Sequence, residues 1–176
     1  MRSRSTRPDG AEHAPFYAGY IAAVADGDVV SRLREQGRAL DAALAAVPDA
    51  HAGFRYGAGK WTIRDIVGHV VDAERIFAYR ALCLARGDST PLPGFDESAY
   101  AAVSNASDRP LADLRAELLV VRESTALLFA SFDDLAWMRL GNANGQPISV
   151  RALAWIAAGH ALHHQRILRE RYGVPA

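Results

Sequence analysis

The 176-residue chain carries 20 basic and 20 acidic residues, so its formal net charge at pH 7 is zero, and half of its residues are hydrophobic. A balanced charge provides no bulk field to attract nucleic acid or an anionic membrane surface, and no apolar run is long enough to span a membrane. The single cysteine, Cys83, excludes an intramolecular disulfide framework and a zinc site built from several cysteines. Length and composition predict one domain with a substantial core and no nucleic-acid or membrane partner.

The amino terminus differs in composition from the rest of the chain. Residues 1–10 are basic but lack the apolar segment of a secretory signal, so we expect a cytoplasmic protein. We predict a disordered tail over residues 1–15 and a single domain over residues 16–176.

The first two of four helical stretches have clear boundaries. Leucines recur with a helical period from about Asp28 to Val47, and Pro48 ends this stretch. The second helix is predicted from about Thr62 to Ala85. Thr62 suits an N-cap position, and Asp65, three positions later, completes an approximate capping box.

The second half of the chain contributes two more helices. A turn-rich crossing over residues 87–94 follows the second helix, and residues 96–104 could add a short helix to it. The third helix starts near Pro110, residues 141–147 form a loop or a tight hairpin, and Ser149 caps a fourth helix that runs to about Tyr172. No segment has convincing strand alternation. The pattern predicts an all-α four-helix bundle, with a connection after the second helix long enough for a crossover.

Two histidines of the fourth helix are placed where the helix should be buried. His160 and His164 are one turn apart and share a face. At roughly 100° per residue, Leu153 and Ile167 fall on the same stripe, so both imidazoles lie within the apolar face. Two imidazoles at this spacing can converge on one metal ion. The alternative is a pair of core histidines bonded to carbonyl groups or water.

His69 occupies a similar position in the second helix, on the stripe that contains Ile66, Ala73 and Ile76. Taken singly, such a histidine is more often a core residue than a metal ligand. Two helices that each carry a histidine in the middle of an apolar stripe favour a shared metal site, because packing the stripes together brings the imidazoles together. His69 is therefore the candidate third ligand.

Two charged residues of the second helix are weaker candidates for the same site. Asp72 lies about 60° from His69 and could hydrogen-bond a ligand imidazole, although a solvated helix carboxylate also explains it. Arg80 returns to the His69 stripe three turns later, so its guanidinium could line the cavity and hold an anionic group. A salt bridge from Arg80 to Asp96 or Glu97 explains it equally well.

Several segments resemble the DinB/YfiT-like superfamily, which is distinct from the DNA polymerase that shares the DinB name. Residues 59–63 and 68–75 resemble its second helix, residues 159–168 resemble its fourth, and residues 79–80 and 93–97 extend the likeness. The resemblance implies a four-helix bundle with a crossed connection, usually assembled as a homodimer. It also implies a divalent metal held by one histidine of the second helix and an H-x-x-x-H pair of the fourth.

Carried over by position, this resemblance implies that His69, His160 and His164 are the metal ligands, whereas His163 is not expected to bind. Three neutral imidazoles leave coordination positions open to water or substrate, which is the layout of a catalytic metal site. Zinc or nickel are the leading candidates for the ion, with iron and copper as alternatives.

Function follows less directly than the metal site. Characterised relatives include thiol-dependent S-transferases and a maleylpyruvate isomerase that use low-molecular-weight thiols such as bacillithiol or mycothiol. We therefore expect a metal-dependent enzyme of the thiol S-transferase or hydrolase type, with a small-molecule substrate that could be such a thiol. The alternative is a non-catalytic, metal-binding or stress-related bundle whose ion is structural or sensory.

Overall fold

Four long helices and several short elements make up residues 3–175, which are the residues that the computed structural model describes. In chain order the helices are α1 (Ala18–Ala23), α2 (Val29–Ala45), α3 (Ile63–Ala85), α4 (Glu97–Val103), α5 (Leu111–Ala130), α6 (Asp134–Trp137) and α7 (Val150–Tyr172). The strands β1 (Leu140–Ala143) and β2 (Gln146–Ser149) pair antiparallel between α6 and α7.

The ends of the long helices are set by side chains that the sequence singled out. The Thr62 N–H donates to Asp65 Oδ2 over 2.9 Å, and the Asp65 N–H donates to Thr62 Oγ1 over 3.0 Å, so the predicted capping box of α3 is confirmed. Ser149 caps α7, and the helix ends before Gly173, whose φ of 69° is left-handed. The predicted limits of α2, α3 and α7 and the predicted start of α5 agree with the structure to within two residues.

The bundle has a crossed order. The helix pairs that pack closely are α2 with α5, α5 with α3, α3 with α7, and α7 with α2. Around the bundle the order is therefore α2, α5, α3, α7, and the consecutive helices α2 and α3 lie on opposite corners. The connection from α3 to α5 contains the short helix α4, which confirms the short helix predicted at residues 96–104. The predicted crossover is present, but α3 and α5 are neighbours, so the connections that cross the bundle are those from α2 to α3 and from α5 to α7 and not the one after the second long helix.

Short elements account for most of the differences from the sequence prediction. Residues 141–147 form the tight hairpin, with Asn144 at a φ of 55° and Gly145 at a φ of 72°, the conformation that an Asn-Gly turn favours. Its strands, with four residues each, are too short to produce a recognisable alternation. The helices α1 and α6 were not predicted either, since six and four residues contain fewer than two turns of helical pattern.

The core lies between the apolar stripes of the long helices. The backbones of α1 and α7 lie very close together where the two helices cross. A Cβ added at Gly159 of α7 would lie 2.0 Å from the carbonyl oxygen of Tyr20 of α1. Glycine at this position therefore lets the backbone of α1 rest directly on α7. No helix of the described residues is both long and apolar enough to cross a membrane.

The amino-terminal segment differs from the predicted disordered tail, of which residues 1 and 2 lie outside the described residues. Glu12 is 6% exposed and accepts hydrogen bonds from Ser149 Oγ over 2.7 Å and from Arg151 Nε over 3.0 Å. The Arg7 guanidinium lies 4.7 Å from the centre of the Trp155 ring. These contacts hold the segment against the start of α7. Composition alone missed them because all of the partners are distant in sequence.

Glu12 should therefore contribute strongly to stability. Burial alone would raise the pKa of this carboxyl, but hydrogen bonds from Arg151 and Ser149 lower it below its ordinary value. Glu12→Ala leaves the buried Arg151 charge unpaired, and we expect the free energy of unfolding to fall by about 3–5 kcal/mol. Urea denaturation measures this loss. Glu35→Ala is the control, because it removes an exposed ion pair with Arg32 and should cost at most about 1 kcal/mol. Equal losses in the two variants would contradict the anchoring role.

Candidate metal centre

Helices α3 and α7 bring three histidines to one point in the core. His69 lies in the first half of α3, and His160 and His164 lie one turn apart in α7, the helix that packs against it. The structure thus juxtaposes the three residues that the stripe argument predicted would meet. All three are buried, with exposed fractions of 5%, 5% and 8%.

The geometry of the cluster suits a single ion. His160 Nε2 lies 3.0 Å from His69 Nε2 and 3.1 Å from His164 Nε2, and the three ligand atoms lie within 4.8 Å of one another. Two nitrogens that bind one ion at about 2.0–2.1 Å each are separated by roughly 2.9–3.4 Å. Three neutral imidazoles also form a donor set that zinc, nickel, iron and copper accept. The residues present therefore fit a divalent metal.

Burial keeps these imidazoles uncharged. It lowers the pKa of His69 to about 4 and that of His164 to about 3, and the neighbouring histidines act in the same direction. The pKa of His160 is also well below its ordinary value, again chiefly because of burial. At neutral pH the rings therefore carry lone pairs free of protons, as metal ligation requires.

Aromatic rings surround the cluster and limit access of water. The Trp61 ring centre lies 4.8 Å from that of His69, and Tyr20 and Phe77 contact His160 at 5.6 and 5.7 Å. The Tyr20 contact depends on the close crossing of α1 and α7. The Nδ1 atom of His164 has no hydrogen-bond partner among residues 3–175.

Glu97 places a carboxylate beside the cluster. Its Oε2 lies 3.9 Å from His69 Nε2, and its side chain is 63% exposed. It is the first residue of α4, whose N-cap Asp96 accepts hydrogen bonds from two backbone N–H groups of the helix. From the sequence, Glu97 was considered only as a salt-bridge partner of Arg80. The sequence indicated only that Glu97 begins a short helix in the connection after the second long helix. The packing of α4 against α3, which brings Glu97 to the cluster, is seen only in the fold.

Asp72 and Arg80, the weaker candidates, have other partners. Asp72 Oδ1 lies 3.7 Å from Arg75, and burial raises the pKa of Asp72. The Arg80 guanidinium donates to the Pro93 carbonyl over 2.6 Å and lies 6.0 Å from the centre of the Phe95 ring. Arg80 shares the angular position of His69 on α3 but not its position along the helix axis. Eleven residues of helix separate the two side chains by about 16 Å. Neither residue is assigned to the cluster.

His163 lies beside the cluster, with its ring 5.1 Å from that of His164, but does not belong to it. Its ring lies 5.3 Å from that of Tyr20, and it is not part of the group of converging ligand atoms. This placement agrees with the sequence-based expectation that His163 is not a ligand.

A cavity of about 270 Å³ reaches the cluster at His164. Its other lining residues are mostly aromatic or aliphatic, with two polar side chains, Lys60 and Ser98: they are Tyr56, Gly59, Lys60, Trp61, Ile66, Ser98, Ile167 and Tyr172. From the sequence, a pocket was expected to open onto all three histidines with Arg80 or Asp72 among its polar neighbours. Of the three histidines only His164 lines this cavity, and neither Arg80 nor Asp72 does. The polar groups of this cavity come instead from the turn before α3 and from α4.

Comparison with known proteins gives a match to a family model and a similar protein. A family model described as the DinB superfamily matches residues 32–168. A protein of Geobacillus thermodenitrificans (strain NG80-2) named "Putative metal-dependent hydrolase" is 27% identical over 149 residues, which are 82% of this chain and 84% of that protein.

Two solved structures share the fold. YfiT from Bacillus subtilis, described as "a probable metal-dependent hydrolase with an unusual four-helix bundle topology", superposes with a TM-score of 0.74 at 17% identity, covering 99% of this chain and 100% of YfiT. The mycothiol-dependent maleylpyruvate isomerase superposes with a TM-score of 0.68 at 16% identity, covering 84% of this chain and 60% of the isomerase.

Removing one histidine should release the metal. Zinc reconstitution of the native chain should give near one equivalent per chain, and His160→Ala should lower the affinity by more than the roughly 10–100-fold typical of losing a hydrogen-bond partner of a ligand. Metal analysis after dialysis measures the occupancy. His163→Ala is the matched control and should keep its zinc. Full occupancy in His160→Ala, or equal losses in the two variants, would count against this ligand set.

The metal-free protein should be folded at neutral pH and should lose stability in mild acid. Below pH 6.5 the unfolded chain takes up protons on these histidines, whereas His69 in the folded chain resists protonation down to about 4. The free energy of unfolding therefore falls as the pH is lowered through this interval. Urea denaturation with a chelator at about pH 7 and about pH 5 measures the change. His164→Leu should show a shallower dependence, and an unchanged slope would refute the assignment.

Proposed function

This chain belongs to the DinB superfamily, and on that basis we propose that it is a metal-dependent enzyme of the hydrolase type whose divalent ion is held by His69, His160 and His164. The convergence of three buried, neutral imidazoles carries the proposal. An apolar side chain at any of these positions would pack without needing a polar partner, so the histidines point to a chemical role. The names of the Geobacillus relative and of YfiT support the hydrolase type.

The bound ion would supply a Lewis acid that lowers the pKa of a water molecule or a substrate thiol. The three imidazoles would hold the ion through ring nitrogens, and their burial protects them from protonation. Tyr20 and Phe77 pack against His160 and limit the access of bulk water there, whereas Trp61 lines the cavity. Solvent and substrate would enter along the cavity that reaches His164.

Glu97 is the proposed general base. Its Oε2 lies 3.9 Å from His69 Nε2, close enough for the carboxylate to reach a group held at the cluster directly or through one water molecule. Glu97 would accept a proton at Oε2 as that water or a thiol becomes a nucleophile. Its exposure on α4 lets it pass the proton on to solvent.

Zinc and nickel are the metals we favour, and iron and copper fit the same donors. Thiol transfer is the second candidate reaction, because the maleylpyruvate isomerase that shares this fold is mycothiol-dependent. A low-molecular-weight thiol would then be a substrate. A structural or sensory ion without catalysis is the remaining alternative, and the cavity that reaches His164 argues against it.

We further propose a homodimer. Its support is the family resemblance together with apolar side chains on the outer face of α5, where Val120 is 70% and Leu127 is 58% exposed. These residues are seven positions apart and therefore share one side of the helix. The cytoplasmic location stays a prediction from the sequence.

Glu97→Gln should separate chemistry from metal binding. The amide keeps the size of the side chain but cannot accept the proton, so we expect a fall in kcat of about 10²–10⁴-fold with unchanged zinc content. Hydrolysis of para-nitrophenyl acetate by the zinc-reconstituted protein, and transfer from a panel of thiols to an electrophile, measure the activity. Glu35→Gln, on the exposed face of α2, is the control. If Glu97→Gln retains full activity, Glu97 is not the base. If neither assay shows metal-dependent turnover in the native chain, the ion is not catalytic.

A further inference from the structure

We propose that the cavity beside the metal centre binds a small substrate with an apolar body and one anionic end, and that Lys60 recognises the anionic end. This inference rests on the proposed function, because the same cavity would deliver the reacting group to the histidine cluster. It adds the class of substrate and the residue that selects it.

Lys60 differs in kind from the other basic side chains of this protein. It is the only lysine in the sequence, where all other basic side chains except the histidines are arginines. No ion pair within residues 3–175 involves it, and its Nζ lies 5.8 Å from the centre of the Tyr56 ring. The side chain of Lys60 is exposed, so its ammonium group is hydrated and not held by a charged partner among the described residues. The ammonium group is therefore available to a ligand.

The backbone around Lys60 is fixed. The Lys60 N–H donates to the Gly57 carbonyl over 3.2 Å, and the Lys60 carbonyl accepts a hydrogen bond from the Arg55 guanidinium over 3.1 Å. The next residue, Trp61, accepts a hydrogen bond from the Tyr172 hydroxyl over 2.7 Å at its carbonyl. These bonds anchor the turn before α3 to α7, so the base of the side chain is held at the cavity wall.

The remaining walls of the cavity define the rest of the substrate. Tyr56, Trp61, Ile66, Ile167 and Tyr172 provide aromatic and aliphatic surface, which suits an apolar body. Ser98 adds a hydroxyl that can donate to the same anion. His164 lines the cavity too, so a ligand whose charge lies at Lys60 can extend toward the metal centre. The volume of about 270 Å³ is at the lower limit for ligand sites and restricts the occupant to a small molecule.

The single lysine allows a direct test in the zinc-reconstituted, full-length protein. Reductive methylation with isotope-labelled methyl groups gives one lysine resonance, and the α-amino group provides an internal reference. Hydrocinnamate combines an apolar ring with a carboxylate, and hydrocinnamamide is its uncharged analogue. We expect saturable shifts of the Lys60 resonance with hydrocinnamate and at least about tenfold weaker binding of the amide, since a hydrogen bond to a charged group is lost. Phenethyl phosphate, as a third probe, decides between a carboxylate and a phosphate.

Variants complete the test. Lys60→Gln should weaken hydrocinnamate binding on the order of tenfold, and Lys60→Arg should retain most of it. Arg169→Gln is the control, because Arg169 is exposed and does not line this cavity, and it should not change the binding. The zinc content should be the same in all three. Equal binding of acid and amide, or no shift of the lysine resonance, would overturn the proposal. So would anion binding that is lost in His160→Ala but kept in Lys60→Gln, because the anion would then bind the metal. If the protein binds no zinc but Lys60 still responds, the proposed function fails and this site stands.

Discussion

Desolvation of three imidazoles is the constraint on which the rest of this structure depends. Removing histidine from water costs free energy unless its ring nitrogens find partners, and an apolar stripe offers none. Within residues 3–175, the Nε2 atoms of His69, His160 and His164 have one another as hydrogen-bond partners. The aromatic contacts of Tyr20, Trp61 and Phe77, the approach of α4 and the position of the cavity are all organised around this cluster.

The crossed order of the helices makes the cluster possible. In a simple up-and-down bundle the second and fourth long helices, here α3 and α7, would occupy opposite corners. Here the connections from α2 to α3 and from α5 to α7 cross the bundle diagonally, so that α3 and α7 become neighbours. Their stripes then pack directly, and side chains as short as histidine meet with nitrogens about 3 Å apart. The connection from α3 to α5 carries α4, and Glu97 with it, to the side of the metal centre.

Local signals in the sequence account for what could be predicted. Caps at Thr62 and Ser149 set the starts of α3 and α7, and the 3.6-residue period placed the three histidines on buried faces. Arg80 was misjudged because a helical angle contains no axial coordinate. Glu97 and Lys60 were missed as site residues because each lies outside the long helices. Their position near the cluster depends on how the connections fold back, and no local pattern encodes that.

The hydrogen bond between Ser149 and Glu12 has a consequence for how the protein is made. The Ser149 hydroxyl caps the helix that supplies two of the three histidines, and its partner Glu12 precedes it by 137 residues. During synthesis the ribosome therefore releases one half of this contact long before the other. Glu12 emerges first and must wait without its partners Ser149 and Arg151 until the start of α7 has left the exit tunnel. Closing the bundle and bringing the three histidines together are thus late events, joined to the last long helix that the ribosome produces.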